Sequence, residues 1–342
     1  MKTARPKARA KDVASAAGVS VATVSRTYNN PEVVREDARQ RVLHAAKVLD
    51  YRPHPAAKAL RLQRSHIVGA VIPTLDYAIY AHMINALQLA LRDSGFSLFV
   101  ATSGFDNAEV GAVATSLIDR GAEALLLVGV VDDDNFFYLA EMKQIPIVST
   151  YSYREDFRVP FVGFDNFEAT RRMTEYLLSL GHRNLAMITG PSRGNDRQQA
   201  RMAAFQQALQ DHGLSSPAPL IVEKQYAIAQ GAEAARQILR DRPDTTAIVC
   251  NSDILAMGVL AECRRREIPV PGRLSVAGHD DHDIARFLDP PLTTVSVPAD
   301  EMGRLAAESL LAALETQQPP GGFKLQTNLV IRESTAKCQA SL

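Results

Sequence analysis

The chain has 342 residues, 46% of them hydrophobic, and 38 Lys and Arg balance 38 Asp and Glu. That length suggests two or three domains with ample apolar content for buried cores. No apolar run follows the basic start as in a signal peptide, none reaches the roughly 18 residues of a membrane span, and Cys250, Cys263 and Cys338 form no CxxC pair of the kind zinc sites use.

The zero net charge hides an asymmetry. Residues 1–65 carry 14 Lys and Arg against 5 Asp and Glu, a net of +9, and the remainder carries −9. A basic head on an acidic body is the distribution expected of a nucleic-acid reader attached to a regulatory domain. The widely spaced cysteines fit free thiols in a reducing cytosol.

Residues 1–8 read as a disordered basic arm. The spacing then predicts a helix over Lys11–Ala17, with Val13, Ala14 and Ala17 on one face. Gly18 accommodates the left-handed backbone that ends it. Ser20 is a good N-cap for a second helix, about Val21 to Tyr28. That helix turns Val24 inward and leaves Val21, Ala22, Ser25 and Arg26 outward. Such a pair is either an ordinary helical hairpin or a helix-turn-helix whose second helix enters a DNA major groove. Asn29-Asn30-Pro31 stops the second helix. Ala38, Val42, Ala45, Ala46 and Leu49 recur at helical spacing and predict a third helix, Glu36–Leu49, that closes a small core.

In YRPHPAAKALRLQRS, residues 51–65, Pro53 and Pro55 interrupt any long helix, and Ala56–Arg61 favours a short helix that is marginal alone. The residues by themselves also fit a plain linker. From His66 onward, apolar strands alternate with helices. The first series of strands is Ile67–Ile72, Leu98–Ala101, Ala124–Val131, Pro146–Ser149 and Phe161–Phe164. Helices are expected at about Ala78–Ser94, Ala108–Arg120 and Asn135–Lys143, with Asp132-Asp133-Asp134 capping the last rather than holding a metal. The second series is Leu185–Thr189, Leu220–Val222, Ala247–Cys250 and Leu274–Ala277, with helices at about Phe167–Leu180, Gln198–His212, Gln230–Arg240 and Ile254–Arg266. Thr293–Val297 and Thr327–Ile331 read as strands around a helix at Asp300–Leu314. Fully apolar strands alternating with helices form parallel sheets covered on both faces, here in two Rossmann-like subdomains.

DVASAAGVSVATVSR resembles, almost position by position, the DNA-binding headpiece of the lactose-repressor (LacI) family of bacterial transcription regulators; TYNN departs from the usual VLN. The resemblance covers nearly the whole chain from about residue 9. It implies a small all-α helix-turn-helix headpiece and an α/β body like the periplasmic binding proteins. The implied domains are a headpiece at 9–52, a hinge helix and linker at 53–65, and an effector-binding and dimerisation domain at 66–342. Its N-subdomain would be about 66–165 and 297–325, and its C-subdomain about 166–296 and 326–342.

By the resemblance, Val21, Ala22 and Arg26 face base edges, and Leu60 is the apolar wedge of a hinge helix in the minor groove. His54-Pro55 departs from the family's hinge pattern. Ser20 belongs to the same interface, and Thr23, Ser25 and Asn29 are expected near phosphates, with helix capping or solvent as the competing role of Thr23 and Ser25. In the body, GHDD at 278–281 resembles the family's G-F/Y-D-D motif. It makes Asp280 the leading effector contact, unless it caps a helix. GPSRGNDRQQARMAAF places Arg201 at the family's effector-binding Arg, with Asn195 and Arg197 facing the same cleft. NSD at 251–253 puts Ser252 at a common contact, with Asp253 expected as a helix cap. PTLDYAIYAHM gives Tyr80 an aromatic position, and Tyr77 replaces the usual Asn. STY and VGFDN look closest to the gluconate-type branch, with Tyr151 in the cleft and Phe164 either there or in the core.

These features imply a homodimeric cytoplasmic repressor of sugar or sugar-acid genes. It would bind palindromic double-stranded operator DNA and answer to a small ligand, with no cofactor, metal, membrane partner or catalytic constellation. Ligand in the cleft would turn one subdomain against the other and disorder the hinge helices, although a co-repressor acting in the opposite sense fits equally. No leucine heptad follows Ile331, so a dimer is expected rather than a coiled-coil tetramer. The competing reading is a solute-binding protein for sugars; an oxidoreductase is disfavoured because IVGAVIP is not followed by GxGxxG.

Overall fold

The computed structural model describes residues 8–52, 64–155, 157–214 and 218–339. Contacts divide it into a headpiece up to Ser65 and a body from His66. Residues 53–63, including Leu60 and the expected hinge helix, lie outside the described residues.

The headpiece contains helices α1 (Ala10–Ala17), α2 (Val21–Asn29) and α3 (Glu36–Val48), with a single 3₁₀ turn at Pro31–Val33. Gly18 ends α1 at φ 65°, and the Thr23 amide donates to Ser20 Oγ at 3.1 Å to start α2. These two local events set the angle between the first two helices. The core is small: Val13, Ala14, Ala17, Val24, Val42, Ala45 and Ala46, with Tyr28, Leu49 and Tyr51 at its rim.

The body begins with β1 (Ile67–Ile72), α4 (Ala78–Asp93), β2 (Ser97–Thr102), α5 (Val110–Asp119), β3 (Ala124–Val128), α6 (Asp134–Met142), β4 (Ile147–Thr150) and β5 (Phe161–Gly163). It continues with α7 (Asn166–Ser179), β6 (Leu185–Thr189), α8 (Asp196–Asp211), β7 (Leu220–Glu223), α9 (Ile228–Asp241), β8 (Ala247–Cys250), α10 (Asp253–Arg265) and β9 (Ser275–Ala277). It closes with β10 (Thr294–Ser296), α11 (Ala299–Thr316), β11 (Phe323–Lys324) and β12 (Asn328–Val330). One parallel sheet has the order β11-β5-β4-β3-β1-β2 and another the order β7-β6-β8-β9, while β10 and β12 pair antiparallel.

Period-2 side chains explain why both sheets are covered twice. In β3, Ala124, Leu126 and Val128 join the core under α4 and α11, and Leu125 and Leu127 face the α5–α6 side. In β6, Ala186 and Ile188 join one core and Leu185 and Met187 the other. The chain passes between the two sheets three times: from β5 to α7, from β10 to α11, and from β11 to β12. The two-residue strand β11 is absent from the sequence-based reading. FK is too short to carry periodicity, and only its pairing with β5 makes it a strand.

Candidate functional site

In the headpiece, α2 buries Val24 and Thr27 and exposes the opposite face. Val21 is 50% exposed, and Ser20, Ala22 and Arg26 are also exposed. Arg26 has no ion-pair partner among the described residues, so its guanidinium fork is free to meet a base edge. The polar neighbours are more committed. Thr23 Oγ1 and Ser20 Oγ lie 2.9 Å apart in the helix cap, and Asn29 Nδ2 donates to the Ser25 carbonyl. Thr23 thus takes part in the cap and Asn29 bonds within its own helix, while Val21, Ala22 and Arg26 lie on the outward face.

In the body, the carboxyl ends of both parallel sheets turn towards one cavity, the position where open α/β folds bind ligands. Tyr77 and Tyr80 follow β1, Phe105 follows β2, and Tyr151 ends the turn after β4. On the other wall, Asn195, Arg197 and Arg201 follow β6, Tyr226 follows β7, Asn251 and Ser252 follow β8, and Asp280 follows β9. The space between them is about 40 Å³.

Of the eight candidate effector residues, Tyr80, Tyr151, Asn195, Arg197, Arg201, Ser252 and Asp280 line this cavity. Phe164 does not. It is 1% exposed, and its ring lies 6.4 Å from that of Tyr151 and 6.2 Å from that of His279. Phe164 therefore backs the wall from the core. Ser252 lines the cavity and also takes the capping role expected of Asp253. Ser252 is the N-cap of α10, accepting from the Ile254 amide at 3.3 Å. Asp253 is fully buried and instead accepts from Thr294 Oγ1 at 2.6 Å and the His282 amide at 2.8 Å. Asn195 lines the cavity but caps α8 through Gln198 and donates to the Pro191 carbonyl, so its amide is largely spent.

Arg201 is 5% exposed; its Nε donates to Asn166 Oδ1 at 2.8 Å and its Nη1 to the Asn251 carbonyl at 2.8 Å. Burial lowers its pKa, against the pull of Asp280. Asp280 has φ 109° and Tyr151 φ 62°, both in the region L-residues rarely adopt, and both face the cavity. Strain of this kind costs of order 1–3 kcal/mol and collects at binding sites. Tyr151 is held further by its hydroxyl on the Ile79 carbonyl at 2.6 Å and by edge packing on Tyr80 at 5.0 Å.

Burial pushes the Asp280 carboxyl up to about 7, against Arg201 and the Ser252 hydroxyl, which both favour the charged form. The folded protein then holds a proton there between about pH 4 and pH 7 that the unfolded chain releases near 3.8. Stability falls as pH rises through that window and levels above it. The melting temperature of Asp280→Asn is therefore expected to fall less between pH 5 and pH 8 than that of the parent. An equal fall in both would mean that this carboxyl is not the proton holder.

Sequence reasoning noted Tyr77 only as a replacement for the usual Asn and missed the groups that meet it, along with a second set of contacts. Tyr77, Phe105 and Tyr226 form a three-ring cluster with centroids 5.0–6.0 Å apart, and the Tyr77 hydroxyl donates to the Tyr226 carbonyl at 2.6 Å. At another point Asn107 Nδ2 donates to Asp196 Oδ1 at 2.7 Å, the Asn107 amide to the Gly194 carbonyl at 2.8 Å, and Ser152 Oγ to Asp196 Oδ2 at 2.5 Å. Burial alone would raise the Asp196 pKa, yet Arg197, Ser152 and Asn107 together hold it below its ordinary value. These contacts join the walls at two places. The position of Tyr226, three residues beyond β7, was the available signal. Among the described residues, no His, Cys, Asp and Glu cluster suits a metal ion, and no helix is long and apolar enough to cross a membrane.

Comparison with known proteins agrees with this geometry. Residues 10–54 match "Bacterial regulatory proteins, lacI family", and residues 174–335 match "Periplasmic binding protein-like domain". The transcriptional regulator GntR of Escherichia coli (strain K12) is 31% identical over 314 residues, covering 92% of this chain and 93% of that protein. Among solved structures, a complex of the regulator CelR with cellobiose is similar at a TM-score of 0.69 and 28% identity, covering 96% of this chain and all of that one. The lac repressor dimer bound to operator and the anti-inducer ONPF shares the fold at a TM-score of 0.83 and 24% identity, covering 97% of this chain and all of that one.

Proposed function

Because the chain belongs to the lacI family of bacterial regulatory proteins, we propose that it is a DNA-binding transcriptional repressor of carbohydrate or sugar-acid genes, controlled by a small ligand in the body cavity. The observation that carries this reading is the pairing of an outward Val21-Ala22-Arg26 face on a capped second helix with a ligand cavity at the carboxyl ends of two sheets. The protein works by binding rather than catalysis, in the cytoplasm, where operator DNA is found.

The functional units follow the chain. Residues 9–52 read DNA, 53–65 form the hinge, and the body halves of about 66–165 with 297–325, and 166–296 with 326–342, move against each other. A homodimer supplies two headpieces for a palindrome. The second copy covers exposed apolar groups of the body, among them Leu89, Phe99 and Val100 around the edge strand β2. Ligand binding alters the contacts that join the walls, Tyr77 with Tyr226 and Asn107 and Ser152 with Asp196. A coupling of about 1–3 kcal/mol passed to the paired hinges changes operator affinity 5- to 150-fold.

The test is capture and sequencing of genomic fragments by the purified protein at near-physiological salt, where non-specific phosphate contacts are weakened. A shared palindrome beside sugar-uptake or catabolic genes, released by a sugar, is the expected result. The absence of any enriched site, with or without sugars, would overturn it. Arg26→Ala is expected to weaken binding to that palindrome roughly 10- to 100-fold, the worth of one bidentate base contact, while random-sequence binding falls much less. Equal losses on both DNAs, measured by fluorescence anisotropy, would reduce Arg26 to a phosphate contact.

A further inference from the structure

The two cavity arginines are not equivalent. Arg201 gives two of its donors to neutral acceptors, Asn166 Oδ1 and the Asn251 carbonyl. Arg197, 4% exposed, is anchored at one end: Nη1 donates to Asp196 Oδ1 at 3.1 Å and to Asn107 Oδ1 at 3.3 Å. Its other terminal nitrogen, Nη2, is buried and has no hydrogen-bond partner. A buried cationic donor left unpaired is costly, and such groups in a folded protein call for a partner.

The surroundings of Arg197 are built to hold it. Gly129 sits at φ 84° against the guanidinium, where any Cβ would overlap both Arg197 and the Asp196 carboxylate. Asp196 is itself fixed by Ser152 and Asn107, from the opposite wall. The guanidinium therefore cannot swing away to find water without breaking the contacts that join the walls. The cavity presents a fixed donor with unused capacity, a second guanidinium with neutral partners, and the aromatic residues Tyr80 and Tyr151.

We infer that the regulating ligand is an anionic sugar derivative, a polyhydroxylated chain ending in an oxyanion, and that Arg197 Nη2 holds that oxyanion. This rests on the ligand-regulated reading above and narrows it from sugars in general to sugar anions. Charge-assisted hydrogen bonds from guanidinium to oxyanion are roughly twice as strong as neutral ones, so a fixed Arg197 selects the acid over its neutral twin. Because the same guanidinium bonds Asn107, the oxyanion also acts directly on a contact between the walls.

The experiment uses the full-length protein and matched probes: D-gluconate with D-glucose, D-galactonate with D-galactose, and glucose 6-phosphate. Thermal shift screens them and calorimetric titration follows. The expected result is binding of at least one anionic member with its neutral twin bound at least tenfold more weakly. Arg197→Gln then loses roughly 10- to 100-fold in affinity for the anion, Arg197→Lys recovers part of it through charge alone, and the exposed Arg193→Gln on the same loop keeps the preference. Carboxylate and phosphate members identify which oxyanion is preferred. Equal binding of a neutral twin, or unchanged anion affinity in a folded Arg197→Gln protein, would overturn the inference and leave sugar regulation standing. No binding by any member would overturn both. The melting temperature of each ligand-free variant reports that it is folded.

Discussion

Replacement of Arg201 by alanine is expected to abolish the ligand response, with at least a hundredfold loss of affinity for whichever compound releases the parent protein from its operator. Arg201 lines the cavity and is almost fully buried, so no water replaces its contribution to a bound ligand. Each hydrogen bond to a charged group contributes about 1.5–3 kcal/mol, and a guanidinium at the cavity wall offers more than one. The substitution also strips the donors from Asn166 Oδ1 and the Asn251 carbonyl. A stability loss of about 2–4 kcal/mol is therefore expected alongside it. Operator binding at 20 °C should persist, since the headpiece is a separate unit. The check is titration of a fluorescent operator complex with the releasing compound, with a thermal melt of each protein. A variant that releases DNA at the parent's ligand concentration would remove Arg201 from the site.

The second large effect is expected in the headpiece. Val24 is 1% exposed at the centre of a core of seven small side chains. Val24→Asp places an unpaired carboxylate there, at a cost of about 3 kcal/mol or more. A domain of this size has only a few kcal/mol in reserve. The headpiece should unfold, and both specific and non-specific DNA binding should fall below detection. The body has its own four cores and should keep its melting transition and its ligand affinity. Calorimetry would resolve the outcome. Loss of ligand binding together with DNA binding would mean that the two units fold as one.

The contrast between these two substitutions shows where sequence alone was sufficient. Val24 is legible because helical spacing is local: each apolar residue three or four positions on must share its face, whatever the rest of the chain does. The same locality made the caps at Ser20 and Asp133 readable, as well as the alternation of apolar strands and helices that specifies covered parallel sheets. Arg201 and Asp280 were legible through resemblance of the surrounding motifs, and the charge asymmetry between head and body required no structure at all.

Only the tertiary structure decided the rest, because those features join residues distant in sequence. Phe164 moved from a possible cleft position to the core since its neighbours Tyr151 and His279 follow different strands. Asp253 gave up its capping role because Thr294, far along the chain, brings it a better donor. The unpaired Nη2 of Arg197 and the Asn107 and Ser152 contacts to Asp196 exist only where the ends of two sheets meet. The sequence by itself determined a reader, a body and the rim on which ligand residues stand. Packing across that rim decided which polar atoms remain free to bind, since a side chain is available to a ligand only when no neighbour has already satisfied it.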